Sequence, residues 1–312
     1  MDVANCRRIA YLKYMPNLRN FFSKPEYVLR PQQVAHRLFR CWGKKPATSI
    51  VKLPWGTEVE VRTGENIGSE IYHYGIFDKI VPETIWRLLD KGEKAVEVGA
   101  NIGQNCSAMA VRVGPNGEVI AFEPHPEIFS ELQRNATAWP ESKLGNLKLE
   151  NVALGESSGM AVLTLPDEFE TNRGSASLKT AGDVRSGFKV KVCKLDDFLA
   201  EVDNVGLCKI DVEGHELSVL RGGIASLERG KIRDLIFEDF IPESSGLRQF
   251  LSEHGFTIFE LHEFWIKPQL KVIGSEKNNG YKRFSHNYLA TLEPARAMLR
   301  FKSPGWHCLL KI

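Results

Sequence analysis

Lys94-Ala95-Val96-Glu97-Val98-Gly99-Ala100-Asn101-Ile102-Gly103 reads as a buried strand that runs through a glycine turn into a helix. Twenty residues past Gly103, a second apolar run, Val119-Ile120-Ala121-Phe122, ends on Glu123. An acidic residue about 20 positions beyond a glycine-rich strand–turn–helix is how an α/β sheet holds the ribose of an adenosine cofactor. A dinucleotide site wants G-x-G-x-x-G, whose middle glycine lets the backbone close on a pyrophosphate. Here the pattern is Gly99-x-x-x-Gly103, with Asn101 in the middle place, where a side chain crowds a diphosphate. Glu97 adds a negative charge that would repel a pyrophosphate but can accept hydrogen bonds from an ammonium. The cofactor implied is adenosine joined to an amino acid, S-adenosylmethionine.

Further along, Val192-Cys193-Lys194-Leu195-Asp196-Asp197-Phe198 precedes Cys208-Lys209-Ile210-Asp211-Val212-Glu213-Gly214-His215-Glu216. Together with Glu97–Gly103 and Phe122-Glu123-Pro124, these segments resemble the FkbM-type family of S-adenosylmethionine-dependent methyltransferases, from roughly Ile85 to Phe240 and in the family's order. The resemblance implies a class I methyltransferase fold and, usually, transfer to a hydroxyl oxygen, with sugars and polyketide-type natural products among known acceptors. Three positions depart from the pattern. Glu97 stands where the family more often has Asp, His125 where Asn is common, and Lys194 where Thr or Arg is frequent. None removes a chemical group the cofactor site needs.

Strand alternating with helix along the chain argues for a doubly wound, Rossmann-like and mostly parallel sheet. The strands expected are Ala95–Val98, Val119–Phe122, Leu147–Val152, Leu207–Ile210 and Leu235–Phe237, with Phe256–Leu261 and Tyr288–Thr291 as an antiparallel end. Ser49–Leu53 and Glu58–Arg62 flank Pro54-Trp55-Gly56-Thr57 as a β-hairpin. One helix is expected through Leu217, Leu220, Ile224 and Leu227, which share a face. Strand-like runs at Met160–Leu165 and Phe188–Val192 bracket a Gly/Ser-rich loop, Asp167–Gly187. Within it Asn172–Ser177 reads either as a lid or as a plain connection.

Ligands of such sheets lie beyond the carboxyl ends of the strands, where all these motifs end. On the cofactor side stand Glu97, Gly99, Ala100, Asn101, Gly103 and Glu123, with Val152 and Ala153 (after Asn151) at the adenine edge and Asp211 near the methionine end. Asn101 is placed to meet the methionine carboxylate. Methyl transfer from a sulfonium is an in-line displacement on an activated electrophile, so alignment is the main contribution. An alcohol acceptor also needs a base. Asp211, Glu213, His215 and Glu238 are the candidates, with Asp239 beside them. Asp211 can instead pair with Lys209, and His215 can simply begin a helix. Asp196 and Asp197 read as helix N-terminal caps. Four carboxylates at one cleft also raise the question of Mg²⁺, although clustered acids are more often solvated or paired; no metal is assigned.

At 312 residues, with ordinary hydrophobic and charged shares, a sizeable core is expected. The net charge of +2 hides an asymmetry: through Lys45 ten Lys/Arg face two acids, a surplus of +8, so the remainder carries −6. Residues 1–45 thus read as a basic, amphipathic helical extension and 46–312 as the methyltransferase domain, with its cofactor core at about 85–240. The extension either packs on the domain with its basic face in solvent or meets an anionic membrane, an acidic partner or the acceptor. No apolar run approaches a spanning helix. Six scattered cysteines without C-x-x-C spacing point to reduced, buried residues of a cytoplasmic protein.

The reading is an O-methyltransferase of a small molecule or glycan. N-methylation is disfavoured because no N-P-P-Y-type segment follows strand four, and nicotinamide chemistry by the glycine spacing and Glu97. Nucleic acid is disfavoured because the domain around the cleft is net acidic. From another class, a non-catalytic cofactor-binding scaffold that recruits a partner through its basic arm remains open. Oligomeric state is not legible.

Overall fold

The computed structural model describes residues 46–140, 143–166, 169–175, 177–179, 187–239, 246–273 and 286–310. The basic extension through residue 45 lies outside the described residues, as does part of the Asp167–Gly187 loop. The chain enters through a hairpin, β1 (Thr48–Lys52) and β2 (Glu58–Arg62), followed by helices α1 (Asn66–Tyr74) and α2 (Ile80–Leu88). The alternating core then runs β3 (Lys94–Val98), α3 (Gln104–Val113), β4 (Glu118–Phe122), α4 (Pro126–Thr137) and β5 (Asn146–Glu150). Short strands β6 (Ala153–Leu154), β7 (Gly159–Thr164), β8 (Ser177–Lys179) and β9 (Phe188–Cys193) come next, then α5 (Leu195–Leu199) and β10 (Val205–Ile210). Helices α6 (Glu216–Gly222) and α7 (Ile224–Glu228) lead to β11 (Ile232–Glu238) and α8 (Gly246–Glu253). Strands β12 (Thr257–His262), β13 (Gln269–Val272) and β14 (Asn287–Thr291) and helix α9 (Pro294–Lys302) complete the fold.

Among the described residues the central sheet orders its strands β13-β12-β14-β11-β10-β3-β4-β5. From β11 to β5 all neighbours are parallel, whereas β14 runs antiparallel to both β11 and β12. The order turns back between β3 and β10, and that switch point is where such sheets bind ligands.

Side chains alternate between two cores, as the two-residue period of a strand requires. Ala95, Val119, Ala121, Leu207 and Ile236 enter the core that also holds α2, α3 and the hairpin. Val96, Val98, Ile120, Phe122, Cys208, Ile210, Leu235 and Phe237 enter the core that holds α6 and α8. Burial on both faces explains the near-continuous apolar run of β10. Hairpin and glycine-loop helix are locked together because Trp55 Nε1 and Thr57 Oγ1 each donate to Ser107 Oγ, at 2.8 and 3.1 Å.

Several expectations need correction. The strand expected over Leu147–Val152 stops at Glu150, and Ala153–Leu154 joins a separate sheet ordered β6-β9-β7-β8. Part of the segment read as a loop over Asp167–Gly187 is strand: β8 pairs antiparallel with β7, after a turn of 3-10 helix at Arg173–Ser175. The single helix through Leu217–Leu227 is two, divided at Gly223. At the end of α6 the backbone packs closely on the loop after β6, where a Cβ on Gly222 would lie 2.0 Å from the Gly155 carbonyl oxygen. Asp196 caps not its own helix but α7, accepting from Ala225 N, Ser226 N and Ser226 Oγ at 3.0, 2.9 and 2.6 Å. Asp197 does cap its own, accepting from Lys194 N at 3.2 Å.

Candidate functional site

Beyond the carboxyl ends of β3, β4, β10 and β11 lies a cavity of about 750 Å³. Its floor is the glycine turn. Gly99, Asn101 and Gly103 all have left-handed φ, +83°, +48° and +96°. Asn101 meets this demand as asparagine can, its Oδ1 accepting from Ile102 N at 2.8 Å. The N–H groups of Gly99 and Ala100 both donate to the Phe122 carbonyl at 2.9 Å, which fixes the turn against β4. The glycines are required by the protein's own packing. A Cβ on Gly99 would lie 2.0 Å from the Asp211 carbonyl oxygen, and one on Gly103 would lie 2.7 Å from Leu132 and 3.0 Å from Trp139.

Glu123 is buried at the end of β4. Its two carboxylate oxygens accept from Asn101 N and His125 N, each at 2.9 Å, which leaves further lone pairs on both. Burial pushes its carboxyl up to about 7, against the lowering effect of those two N–H groups. Asn151 serves as a clamp, donating from Nδ2 to the carbonyls of Glu123 (2.8 Å) and Pro124 (3.2 Å), while Val152 and Ala153 line the cavity. His125 caps α4 through Nδ1 and stacks on Phe169, with centroids 4.9 Å apart. Its buried Nε2 has no hydrogen-bond partner, and burial lowers its pKa, so the ring is neutral.

Glu97 is 1% exposed and faces its register partner Lys209 across β3 and β10. Lys209 Nζ lies 3.0 Å from Asp211 Oδ2 and 3.8 Å from Glu97 Oε1, so one buried ammonium is shared by two carboxylates. Oε2 of Glu97 has no hydrogen-bond partner, and burial pushes the carboxyl up to about 8. An acid buried with an orphaned oxygen beside an adenosine-type turn is what a ligand ammonium would complete.

Asp211 follows β10, its N–H donating to the Val98 carbonyl at 3.0 Å. Glu213 and Gly214 then turn with φ of +51° and +88°, held by Glu216 Oε1, which accepts from Val212 N and Gly214 N, both at 3.2 Å. Glu238 ends β11 and lines the same cavity; burial, then the nearby Asp211, pushes its carboxyl up to about 8. The structure therefore gathers Glu97, Gly99, Ala100, Asn101, Glu123, Val152, Ala153, Asp211, Glu213 and Glu238 around one cavity. His215 precedes α6 and Gly103 precedes α3, and neither is among the residues that line it. Asp239 is buried away from the cavity against Arg248, 2.7 Å away.

With this geometry in place the match to known sequences is decisive: residues 97–258 match the profile of the methyltransferase FkbM domain, over half of the chain. The chain belongs to the FkbM methyltransferase family. Its cofactor is S-adenosylmethionine, as the sequence implied. This methyltransferase is 28% identical over 197 residues to Methyltransferase 1 of Beauveria bassiana, covering 57% of this chain and 77% of the relative. It is 29% identical over 220 residues to Methyltransferase sdnD of Sordaria araneosa, covering 59% and 81%. It is 30% identical over 164 residues to the Hexuronic acid methyltransferase AglP of Haloferax volcanii, covering 47% and 63%. Among solved structures it is similar to a SAM-dependent O-methyltransferase of Thermotoga maritima, at 15% identity and a TM-score of 0.37, covering 81% of this chain and 80% of that one.

Part of the cavity wall carries no motif that sequence reading could seize on. Ser69, His73 and Tyr74 of α1, then Phe77, come from a segment before the matched region, and Arg173 and Gly174 come from the loop before β8. Only the helical spacing of Ser69 and His73 hinted at a polar face there. Among the described residues no group of three or more His, Cys, Asp and Glu is placed to hold a metal, and no helix is long and apolar enough to cross a membrane.

Proposed function

We propose that this methyltransferase acts on a hydroxyl oxygen of a sugar, glycan or natural-product-type small molecule, with a carboxylate as base. When bound, the cofactor supplies a methyl group on a sulfonium. Glu97 would hold its ammonium, Glu123 its ribose hydroxyls, and the turn Gly99–Gly103 with Val152 and Ala153 its adenosine. Asp211 borders both the methionine end and the acceptor. The observation that carries the reading is the placement of Glu238 and Glu213 beside Asp211 in the same cavity as those groups. A Glu238 carboxyl pushed up to about 8 is a stronger base than an ordinary glutamate and suits removal of a hydroxyl proton near neutral pH. The glycan half of the reading is supported by the Haloferax relative named for hexuronic acid. Residues 46–312 are proposed as the catalytic unit, with 1–45 as an appended arm. A reducing, cytoplasmic setting is supported by four buried, unpaired cysteines, Cys106, Cys193, Cys208 and Cys308.

The test is a pH–rate profile. Only ionised Glu238 accepts a proton, so kcat should rise with pH through about 8 and then level off. Glu238→Gln should lower kcat about 100-fold and flatten that limb. A rising limb that survives in the variant would assign the base elsewhere.

A further inference from the structure

The acceptor side of the cavity carries a charge pattern that deepens this reading. Its acids are Asp211, Glu213 and Glu238, set at the ends of neighbouring parallel strands. Among the described lining residues the Lys and Arg side chains are two, and both are paired with carboxylates, although Arg173 Nε has no hydrogen-bond partner. Lys209 is buried and bound to Asp211 and Glu97. Arg173 is 4% exposed, with Nη1 2.7 Å from Glu131 and Nη2 3.5 Å from Glu127. The next layer repeats the pattern: Lys79 is 2.7 Å from Glu263, and Arg248 is 2.7 Å from Asp239.

Backbone donors tell the same story independently. An exposed helix N-terminus or a left-handed turn is a ready anion site. On the acceptor side the chain's own carboxylates fill sites of both kinds, whereas the N-terminus of α3, which borders the cavity at the glycine turn, carries no side-chain cap. Glu65 caps α1, accepting from Ile67 N at 3.1 Å and from Gly68 N. Glu216 fills the turn at Val212–Gly214, and Glu123 takes the N–H of Asn101. A carboxylate or phosphate arriving beside Asp211, Glu213 and Glu238 would find like charge, and the donor left without a partner on a described lining cation is Arg173 Nε, on the loop before β8. Sites that select such groups present unpaired Arg or Lys.

Resting on the hydroxyl-transfer reading above, we propose that the acceptor carries no carboxylate or phosphate at its reacting end, so that the site selects neutral or amine-bearing hydroxylated molecules and, unlike the Haloferax relative named for hexuronic acid, rejects uronates. Selectivity of this kind comes from repulsion as much as from attraction. The raised carboxyls of Glu213 and Glu238, due to burial and then to Asp211, agree with a region already crowded with negative charge.

The experiment uses the full-length protein, methyl-labelled S-adenosylmethionine and two matched acceptor sets. One set is methyl glucoside, methyl glucosaminide and methyl glucuronide; the other is catechol, dopamine and protocatechuate. The neutral and amine-bearing members should be methylated with kcat/KM about 100-fold above the carboxylated ones. The double variant Glu213→Asn, Glu238→Gln should narrow that ratio about tenfold or more, whatever it does to the absolute rate. Because a general structural defect lowers all members alike, the ratio reports charge selection and not folding. A carboxylated member methylated as fast as its neutral partner, or a ratio unmoved in the variant, overturns the inference while the hydroxyl-transfer reading stands. No product from either set, with cofactor binding shown by calorimetry, overturns both.

Discussion

Glu97 sits at the carboxyl end of β3, with Oε1 3.8 Å from Lys209 Nζ and Oε2 lacking a hydrogen-bond partner. Both features cost stability in the empty protein, because a buried carboxyl left half satisfied forfeits its hydration. The same features favour a bound ammonium. Glu97→Gln should therefore raise the melting temperature of the cofactor-free protein and weaken S-adenosylmethionine binding about tenfold to a hundredfold. Thermal melts and calorimetric titration check the two halves, and a variant neutral in both would remove Glu97 from the site. Lys209 keeps Asp211 as its partner at 3.0 Å, so no cation is stranded. The placement of Glu97 and Glu123 on either side of the glycine turn was legible in sequence because it depends on spacing within one strand–turn–helix–strand unit. The reason for Gly99 was not: what it must clear is the Asp211 carbonyl, 112 positions away.

Helices and strands of the central sheet were legible for the same local reason, since each carries its own apolar period. What escaped was set by contacts between elements. α6 and α7 share one hydrophobic face yet are divided at Gly223, and Asp196 on α5 supplies the cap for the second. The segment before β8 looked like a loose loop because its composition is polar. Arg173 instead anchors it, reaching Glu131 on α4 at 2.7 Å from a position that is 4% exposed. Glu131 also holds Arg62 of β2 at 2.7 Å, so hairpin, helix and loop meet at one carboxylate. Arg173→Ala should lower stability by about 2 kcal/mol, less than a fully isolated buried pair would lose because Arg62 still serves Glu131. It should also raise KM for the acceptor more than it lowers kcat, since Arg173 and Gly174 form cavity wall and not the strand ends that carry the proposed base. Urea denaturation and steady-state kinetics read these out, and a stable variant with unchanged KM would show that the segment is held by other contacts.

Across the whole molecule, burial pushes several carboxyls upward: at the cleft Glu97 and Glu238 to about 8 and Glu123 to about 7, and, outside its lining, Asp78 to about 7. In the unfolded chain the same groups ionise near 4 to 4.5. The folded protein thus retains protons that the unfolded chain releases, and linkage fixes the sign. Their stabilising contribution is complete below the unfolded values and is lost as pH rises through about 7 to 8. His125, lowered by burial, acts the opposite way, but its effect is complete once the pH passes its unfolded value of 6.5. The cofactor-free protein should accordingly lose melting temperature from about pH 5 to about pH 8 and level off above that. S-adenosylmethionine brings a sulfonium and an ammonium to these carboxyls, so the shift in melting temperature that it produces should grow over the same interval. S-adenosylhomocysteine keeps the ammonium but lacks the sulfonium charge, so its shift should grow less. Melts with each ligand at matched saturation separate the contributions: parallel curves for free and bound protein would mean that the cleft carboxyls do not carry the cofactor's charge. Divergence that tracks the sulfonium would tie the cluster of Glu97, Glu123 and Glu238, assembled from three strand ends far apart in sequence, to the methyl-donating end of the site.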